Sequence, residues 1–300
     1  EKLAALNIDV DDDMDLLEYR IRQCLLDGGK ILDVSHLDIE KLPSCIPLTI
    51  KYLFCANNRI RNLGDLSKFK LLKVIDVSNN HLEKLDNLPE SIIEVQCIGN
   101  DLEILDLSKY FKLRRLDCSH NKLQFIHPIK NVENLICTHN KLKSIKNWKN
   151  LVKLECQHNN IISICDLPKV RTVNCSFNEI VTIYDFPLLR HLYCMNNRIK
   201  IIKSLPNIEH IDCTNNHVEN ITDFPRLMEL YCSRNNIKKI GKIDSITQIE
   251  CFTNQINNLD YFKNLEWILC DYTLKNISKE YNINKIVRDK NNRILIELNK

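Results

Sequence analysis

The chain has 300 residues, 42 of them Lys or Arg and 39 of them Asp or Glu, so its formal net charge is +3. This small excess argues against nucleic acid or an anionic membrane surface as a partner. No apolar run reaches the roughly 18 residues that a membrane-spanning helix needs, and neither G-x-G-x-x-G nor the P-loop motif occurs.

Residues 1–30 are predicted to form an N-terminal helical cap. Residues 1–13 are acidic and have no basic segment followed by an apolar stretch, so no secretory signal is expected. Residues 14–27 have the pattern of an amphipathic helix, with Asp13 as the candidate N-cap and Gly28-Gly29 as its end. The apolar side chains of this helix fall on one face: Leu17, Ile21, Cys24 and Leu25.

From residue 31 to residue 278 the sequence repeats about thirteen times, with a period of 19 to 22 residues. The segment from Leu116 to Leu123 reads L-D-C-S-H-N-K-L, and the next two copies read L-I-C-T-H-N-K-L and L-E-C-Q-H-N-N-I. The consensus is L-x-C-x-x-N-x-[LI]-x-x-[LI]. Its asparagine recurs at Asn58, Asn80, Asn100, Asn121, Asn140, Asn159, Asn178, Asn197, Asn216, Asn235 and Asn254.

This consensus resembles that of the leucine-rich repeat family, and the repeats span more than four fifths of the chain. The resemblance implies an α/β-type solenoid that is mostly β, with a parallel β-sheet on its concave face. Repeats of 19 residues leave no room for regular helices on the convex side, so short extended or 3₁₀ segments are expected there. The resemblance also implies that binding another protein is the commonest role.

Stacking explains the pattern physically. A single turn cannot bury its own apolar face, whereas stacked turns share a continuous core in which each turn contacts its neighbours. The chain turns inward at the end of each strand and leaves backbone groups that no strand pairing satisfies. The carboxamide of the repeat asparagine is therefore expected to bond these groups within and between turns.

Residues 279–300 are predicted to form a C-terminal cap. Two segments with strand patterns, Ile283–Val287 and Arg293–Leu298, flank the polar residues 289–292. This arrangement is typical of a β-hairpin, which would close the end of the sheet.

Eleven of the fourteen cysteines lie three residues before the repeat asparagine or its substitute. Val34 and Val77 take this position in two other copies, so the position favours a small buried apolar group. No C-x₂-C motif is present, and disulfides between neighbouring strands would distort an in-register sheet. So many free thiols favour a reducing compartment, and we expect a cytoplasmic protein, in its own cell or in a host.

Histidines form two rows. His120, His139 and His158 each precede the repeat asparagine in consecutive copies, and His191 and His210 form a shorter row that Glu229 continues. Such rows could share a transition metal or sense pH. Because Asn, Arg and Thr fill the first position elsewhere, a tolerant exposed position is the favoured interpretation, and no metal or other cofactor is expected.

The concave positions become aromatic and acidic towards the C-terminus. Exposed aromatic side chains on a rigid sheet are typical of protein interfaces. The alternative is that they are ordinary scattered surface residues, with Trp267 packed under the cap. The candidate partner-binding residues are Tyr193, Met195, Asp212, Glu229, Tyr231, Glu250, Phe252 and Trp267.

No motif spacing brings together a nucleophile, a base or a metal site, so the chain is not expected to be an enzyme. We predict a monomeric, non-enzymatic module that binds another protein through its concave face. The alternative is the substrate-recognition array of a larger enzyme or ubiquitin-ligase adaptor whose working domain lies outside these residues. Leu42-Pro43 and Leu88-Pro89 favour this alternative, since they resemble short repeats that bacterial effectors fuse to ubiquitin-ligase domains.

Overall fold

The computed structural model describes residues 15–256, 258–259, 262–271, 276–277, 283–288 and 293–298. They fall into two compact units, one within residues 1–141 (unit 1) and one within residues 142–300 (unit 2). Each unit is a parallel β solenoid, and the two units together have about 12 turns. The described residues contain one helix. The mostly β parallel solenoid predicted from the sequence is thus confirmed.

Helix α1, Leu16–Leu26, opens unit 1. Its N-cap is Asp15, whose side chain accepts a hydrogen bond from the Leu17 amide, so the predicted cap at Asp13 is wrong by two residues. The buried face is also narrower than predicted, because Ile21 and Cys24 are its buried residues. Gly29, with φ +66°, ends the helix by donating its N–H to the carbonyl of Cys24 at 2.8 Å.

The described residues of unit 1 contain six short strands that pair in parallel and in chain order. Each has a buried central residue between two more exposed ones, because alternate side chains of a strand point to opposite faces. The strands are β1 (Ile31–Asp33), β2 (Tyr52–Phe54), β3 (Val74–Asp76), β4 (Glu94–Gln96), β5 (Arg115–Asp117) and β6 (Asn134–Ile136).

Unit 2 alternates strands of its main sheet with shorter outer strands. The strands in chain order are β7 (Ser144–Lys146), β8 (Lys153–Glu155), β9 (Ser163–Cys165), β10 (Thr172–Asn174), β11 (Thr182–Tyr184), β12 (His191–Tyr193), β13 (Ile201–Lys203), β14 (His210–Asp212), β15 (Asn220–Ile221), β16 (Glu229–Tyr231), β17 (Lys239–Ile240), β18 (Gln248–Glu250), β19 (Asn258–Leu259), β20 (Trp267–Asp271), β21 (Asn276–Ile277), β22 (Ile283–Arg288) and β23 (Arg293–Leu298).

The even-numbered strands from β8 to β20 form the parallel main sheet of unit 2, and the hairpin of β22 and β23 joins β20 in antiparallel pairing. The outer strands pair two by two as β7–β9, β11–β13, β15–β17 and β19–β21. Central residues are buried in both sets, as for Ile183 of β11 and Leu192 of β12, so the core lies between them. The convex segments of unit 2 are therefore extended, as predicted.

The repeat asparagines bond backbone groups of two turns. Asn235 is 7% exposed. Its Oδ1 accepts from the Val218 amide at 2.9 Å, and its Nδ2 donates to the carbonyls of Cys213, Cys232 and Ser233 at 2.9, 3.1 and 3.2 Å. The same bonds, from a backbone amide to Oδ1 and from Nδ2 to backbone carbonyls, are made by Asn58, Asn80, Asn100, Asn121, Asn178, Asn197 and Asn216.

The position before each repeat asparagine has a left-handed backbone. Its φ is +54° at His120, +52° at His139, +55° at His158 and +57° at Asn57. Asn and His tolerate this conformation better than most residues do, and glycine, present at Gly99, does so best. Phe177, Arg234 and Thr253 have the same backbone in other copies, so the copies share one backbone conformation while the position accepts several types of side chain.

Twelve of the fourteen cysteines are buried and none is in a disulfide; Cys45 is exposed and Cys165 is half-buried. Burial raises the pKa of the thiols in the repeat position, to about 12 for Cys175 and well above its usual value for Cys194. These thiols stay protonated at neutral pH and serve as small apolar core groups.

Candidate protein-interaction surface

Seven of the eight candidate binding residues are half-buried on or next to the solvent-facing side of the main sheet in unit 2. We call this set the aromatic–acidic patch: Tyr193, Met195, Asp212, Glu229, Tyr231, Glu250 and Trp267. Strand alternation places these side chains outward, while Cys194 and Cys232, one residue away from the tyrosines, are buried in the core.

Strand register determines how the patch is arranged. Tyr193 pairs with Asp212, Asp212 with Tyr231, and Tyr231 with Glu250 across β12, β14, β16 and β18. Adjacent strands lie ~4.8 Å apart, so aromatic and acidic side chains alternate in one row at that spacing. A second row runs beside it through His191, His210, Glu229, Gln248 and Trp267.

His210 lies at the centre of the patch, a role that the sequence did not reveal. Its ring centroid is 4.8 Å from that of Tyr193 and 5.4 Å from that of Tyr231. Its Nδ1 lies 2.9 Å from Oε2 of Glu229. Its Nε2 is buried and has no hydrogen-bond partner in the described part of the chain. The imidazole thus holds the two tyrosine rings and orients the Glu229 carboxylate.

Tyr231 contacts side chains of the two strands that follow it in the sheet, β18 and β20. Its ring contacts that of Trp267 edge to face, with the centroids 6.3 Å apart, and its hydroxyl donates to Gln248 Oε1 at 3.4 Å. Partial burial, followed by the negative charges of Glu229 and Glu250, raises the pKa of the Tyr231 hydroxyl. The ring is therefore neutral at physiological pH and lies in a negative field.

Phe252 is not part of this surface. It is 7% exposed, and the guanidinium of Arg293, on β23, lies 3.9 Å from the centroid of its ring. The sequence pattern placed Phe252 outward, but the C-terminal hairpin covers it.

The row of His120, His139 and His158 does not have the geometry of a metal site. The rings of His120 and His139 stack with centroids 4.2 Å apart, and His158 stacks on Phe177 at 4.3 Å. Within the described ranges, no group of three or more His, Cys, Asp or Glu side chains is placed to hold a metal ion.

A family model of leucine-rich repeats in two copies matches residues 49–90 and 187–226. Both segments contain the stacked strands and asparagine bonds described above. The chain is a leucine-rich repeat protein. In the part of this leucine-rich repeat protein that the structure describes, no helix is long and apolar enough to cross a bilayer.

Two curated relatives match part of this leucine-rich repeat protein. Oligodendrocyte-myelin glycoprotein of Homo sapiens is 31% identical over 115 residues, which are 36% of this chain and 26% of that protein. Lumican of Homo sapiens is 31% identical over 106 residues, which are 34% of this chain and 27% of lumican. The matches thus span about a quarter of the length of each relative.

Solved leucine-rich repeat structures have the same fold. The LRIM1/APL1C complex is matched with a TM-score of 0.69 at 22% identity, over 85% of this chain and 54% of that one. The functional domain of InlJ from Listeria monocytogenes, described as including a cysteine ladder, is matched with a TM-score of 0.60 at 22% identity, over 83% of this chain and 55% of that one.

The expectation of a cytoplasmic protein is wrong. The two curated relatives contradict it, because oligodendrocyte-myelin glycoprotein and lumican are extracellular or membrane-anchored. That expectation assumed that free thiols need a reducing compartment. Oxidation proceeds through the exposed thiolate, however, and burial raises the thiol pKa, to about 12 for Cys175. Buried thiols of this kind are compatible with an oxidising compartment as well as a reducing one.

Proposed function

We propose that this leucine-rich repeat chain is a non-enzymatic module that binds a partner protein through the aromatic–acidic patch of unit 2. The observation that carries the proposal is the row in which Tyr193, Asp212, Tyr231 and Glu250 alternate on consecutive strands. Large half-buried aromatic rings on a rigid sheet bind a partner at low entropic cost, since the scaffold already holds them.

The comparisons support a binding role in general terms. Leucine-rich repeats typically mediate protein–protein interaction, and the relatives with this repeat are non-enzymatic binding proteins. Solved neighbours of the fold include the LRIM1/APL1C complex. Neither comparison concerns the patch itself, so its role in binding is proposed from its strand register and side-chain contacts alone.

Affinity capture from extracts of the source, followed by mass spectrometry, tests the proposal. We expect a partner that wild type captures and that Tyr193→Ala/Tyr231→Ala loses, with about 2 kcal/mol or more of binding free energy lost at a hot-spot ring. Both rings are outside the core, so the variant should keep its thermal unfolding temperature nearly unchanged.

The matched control is Tyr19→Ala/Tyr184→Ala. These tyrosines are 48% and 42% exposed, on α1 and on outer strand β11. The control should capture the same partner as wild type. A partner that binds wild type and the patch variant equally well would place the interface elsewhere and refute the proposal.

A further inference from the structure

The patch carries negative charge in a chain whose net charge is positive. The eight sheet-face positions within β12, β14, β16 and β18 hold three carboxylates, Asp212, Glu229 and Glu250, and no Lys or Arg, whereas the whole chain is at +3. Clustered carboxylates on an exposed sheet favour a cationic partner group.

Among the described residues, no Lys or Arg forms a salt bridge with these carboxylates. Asp212 accepts from the Thr214 amide at 3.0 Å, and Glu250 accepts from the Ser233 hydroxyl at 3.0 Å. Glu229 contacts His210 and keeps 41% of its side chain exposed. Each carboxylate is thus oriented by a local hydrogen bond and has lone pairs left for a partner.

The aromatic rings make the surface suited to one kind of cation. The row places the Tyr231 ring between the strands that carry Asp212 and Glu250, and Glu229 precedes it on its own strand. A planar guanidinium can stack on such a ring while its N–H groups bond carboxylates at its edge. A lysine ammonium has no planar face to stack.

The chain provides an example of this contact next to the patch. The Arg293 guanidinium lies 3.9 Å from the ring centroid of Phe252, two residues after Glu250 on the same segment. An arginine from the C-terminal hairpin therefore covers the aromatic residue that follows β18. Tyr231 has no Arg or Lys over its ring among the described residues.

We propose that the patch binds an arginine side chain of the partner, with the guanidinium over the Tyr231 ring and bonded to the carboxylates of Glu229 and Glu250. This inference rests on the proposed function, because it names the chemistry of the partner's anchor at the same surface. The partner is a protein segment with an exposed arginine.

Short synthetic peptides test this without the natural partner. The probes are acetyl-Gly-Arg-Gly-Arg-Gly-amide and its counterparts with lysine or citrulline, which is neutral and nearly isosteric with arginine. The chain has two tryptophans. Trp148 is 1% exposed, and Trp267 contacts Tyr231, so fluorescence changes report on the patch. We expect saturable binding of the arginine peptide, at least tenfold weaker binding of the lysine peptide, and none of citrulline.

Two variants of equal net charge isolate the site. Glu229→Gln/Glu250→Gln should weaken binding of the arginine peptide at least tenfold. Glu179→Gln/Glu219→Gln removes two acids that lie outside the main sheet and should leave the binding constant within twofold of wild type. No saturable binding, equal binding of all three peptides, or equal loss in both variants would overturn the inference. If the peptides fail while partner capture still depends on Tyr193 and Tyr231, the arginine inference alone fails.

Discussion

Replacing the buried Asn235 with Ala should destabilise the repeat array far more than the same change at its exposed neighbour Asn236. Asn235 bonds one amide and three carbonyls: the Val218 N–H, and the carbonyls of Cys213, Cys232 and Ser233. The Val218 amide and the Cys213 carbonyl belong to the preceding turn, so the substitution affects two turns at once.

The magnitude follows from the groups left without a partner. A buried donor or acceptor that loses its partner costs about 1 to 3 kcal/mol. Asn235 has two amide hydrogens and one acceptor oxygen engaged, and water can reach part of the vacated space. We therefore expect a loss of about 3 kcal/mol in the free energy of unfolding. Asn236 is exposed, and its replacement should change the free energy by less than about 0.5 kcal/mol.

Urea denaturation followed by circular dichroism measures both values. Asn235→Asp adds a stricter comparison, because the carboxylate keeps the acceptor for the Val218 amide but removes both donors. We expect Asn235→Asp to be destabilised as strongly as Asn235→Ala or more so, since it also buries a charge. Equal losses at Asn235 and Asn236 would refute the inward orientation of the repeat asparagine and the bonding between turns.

Three further predictions concern the cysteines and the left-handed positions. A maleimide reagent should label two of the fourteen cysteines in the native protein, Cys45 and Cys165, and all fourteen in denaturant; labelling of four or more native sites would contradict the burial. Burial raises the pKa of Cys175 from 9.0 to about 12. The protonated thiol therefore stabilises the fold fully below pH 9, and this stabilisation is lost as the pH rises towards 12. Between pH 9 and pH 10, wild type should therefore lose up to about 1.4 kcal/mol more than Cys175→Val, as measured by urea midpoints; identical pH profiles would show that this thiol does not titrate as described. Thr253 has φ +56°, which is unfavourable for a β-branched side chain, so Thr253→Asn should raise the free energy of unfolding by about 1 kcal/mol, and an unchanged midpoint would count against strain at this position.

Part of the patch could be predicted from the sequence and part could not. The alternation of each strand, as in Leu192 between His191 and Tyr193, is enough to say which side chains face outward, because the period of a strand is two residues. The contacts of those side chains depend on rotamers and on neighbouring strands. The position of His210 between Tyr193 and Tyr231 therefore appears only in the structure.

The positions before the asparagines show a similar limit. The sequence revealed that His120 and His139 occupy equivalent positions, but it suggested a metal row or a tolerant surface. The structure shows a left-handed φ at both residues, which Asn, His and Gly satisfy. Backbone dihedral angles of this kind leave only a weak compositional trace in the sequence, because Asn, His and Gly recur at this position while Phe177, Arg234 and Thr253 have the same φ there.

The sequence by itself determined the repeat, the strand order and the inward positions of the cysteines and asparagines, because stacking copies of one motif allows only neighbouring turns to pair. The tertiary structure alone decided what lies over the sheet. Phe252 continues the outward pattern of β18 beyond the end of that strand, and Arg293, 41 residues later, covers it through the hairpin that pairs with β20. Contacts between segments so far apart depend on how the end of the array closes, and no local periodicity encodes that closure.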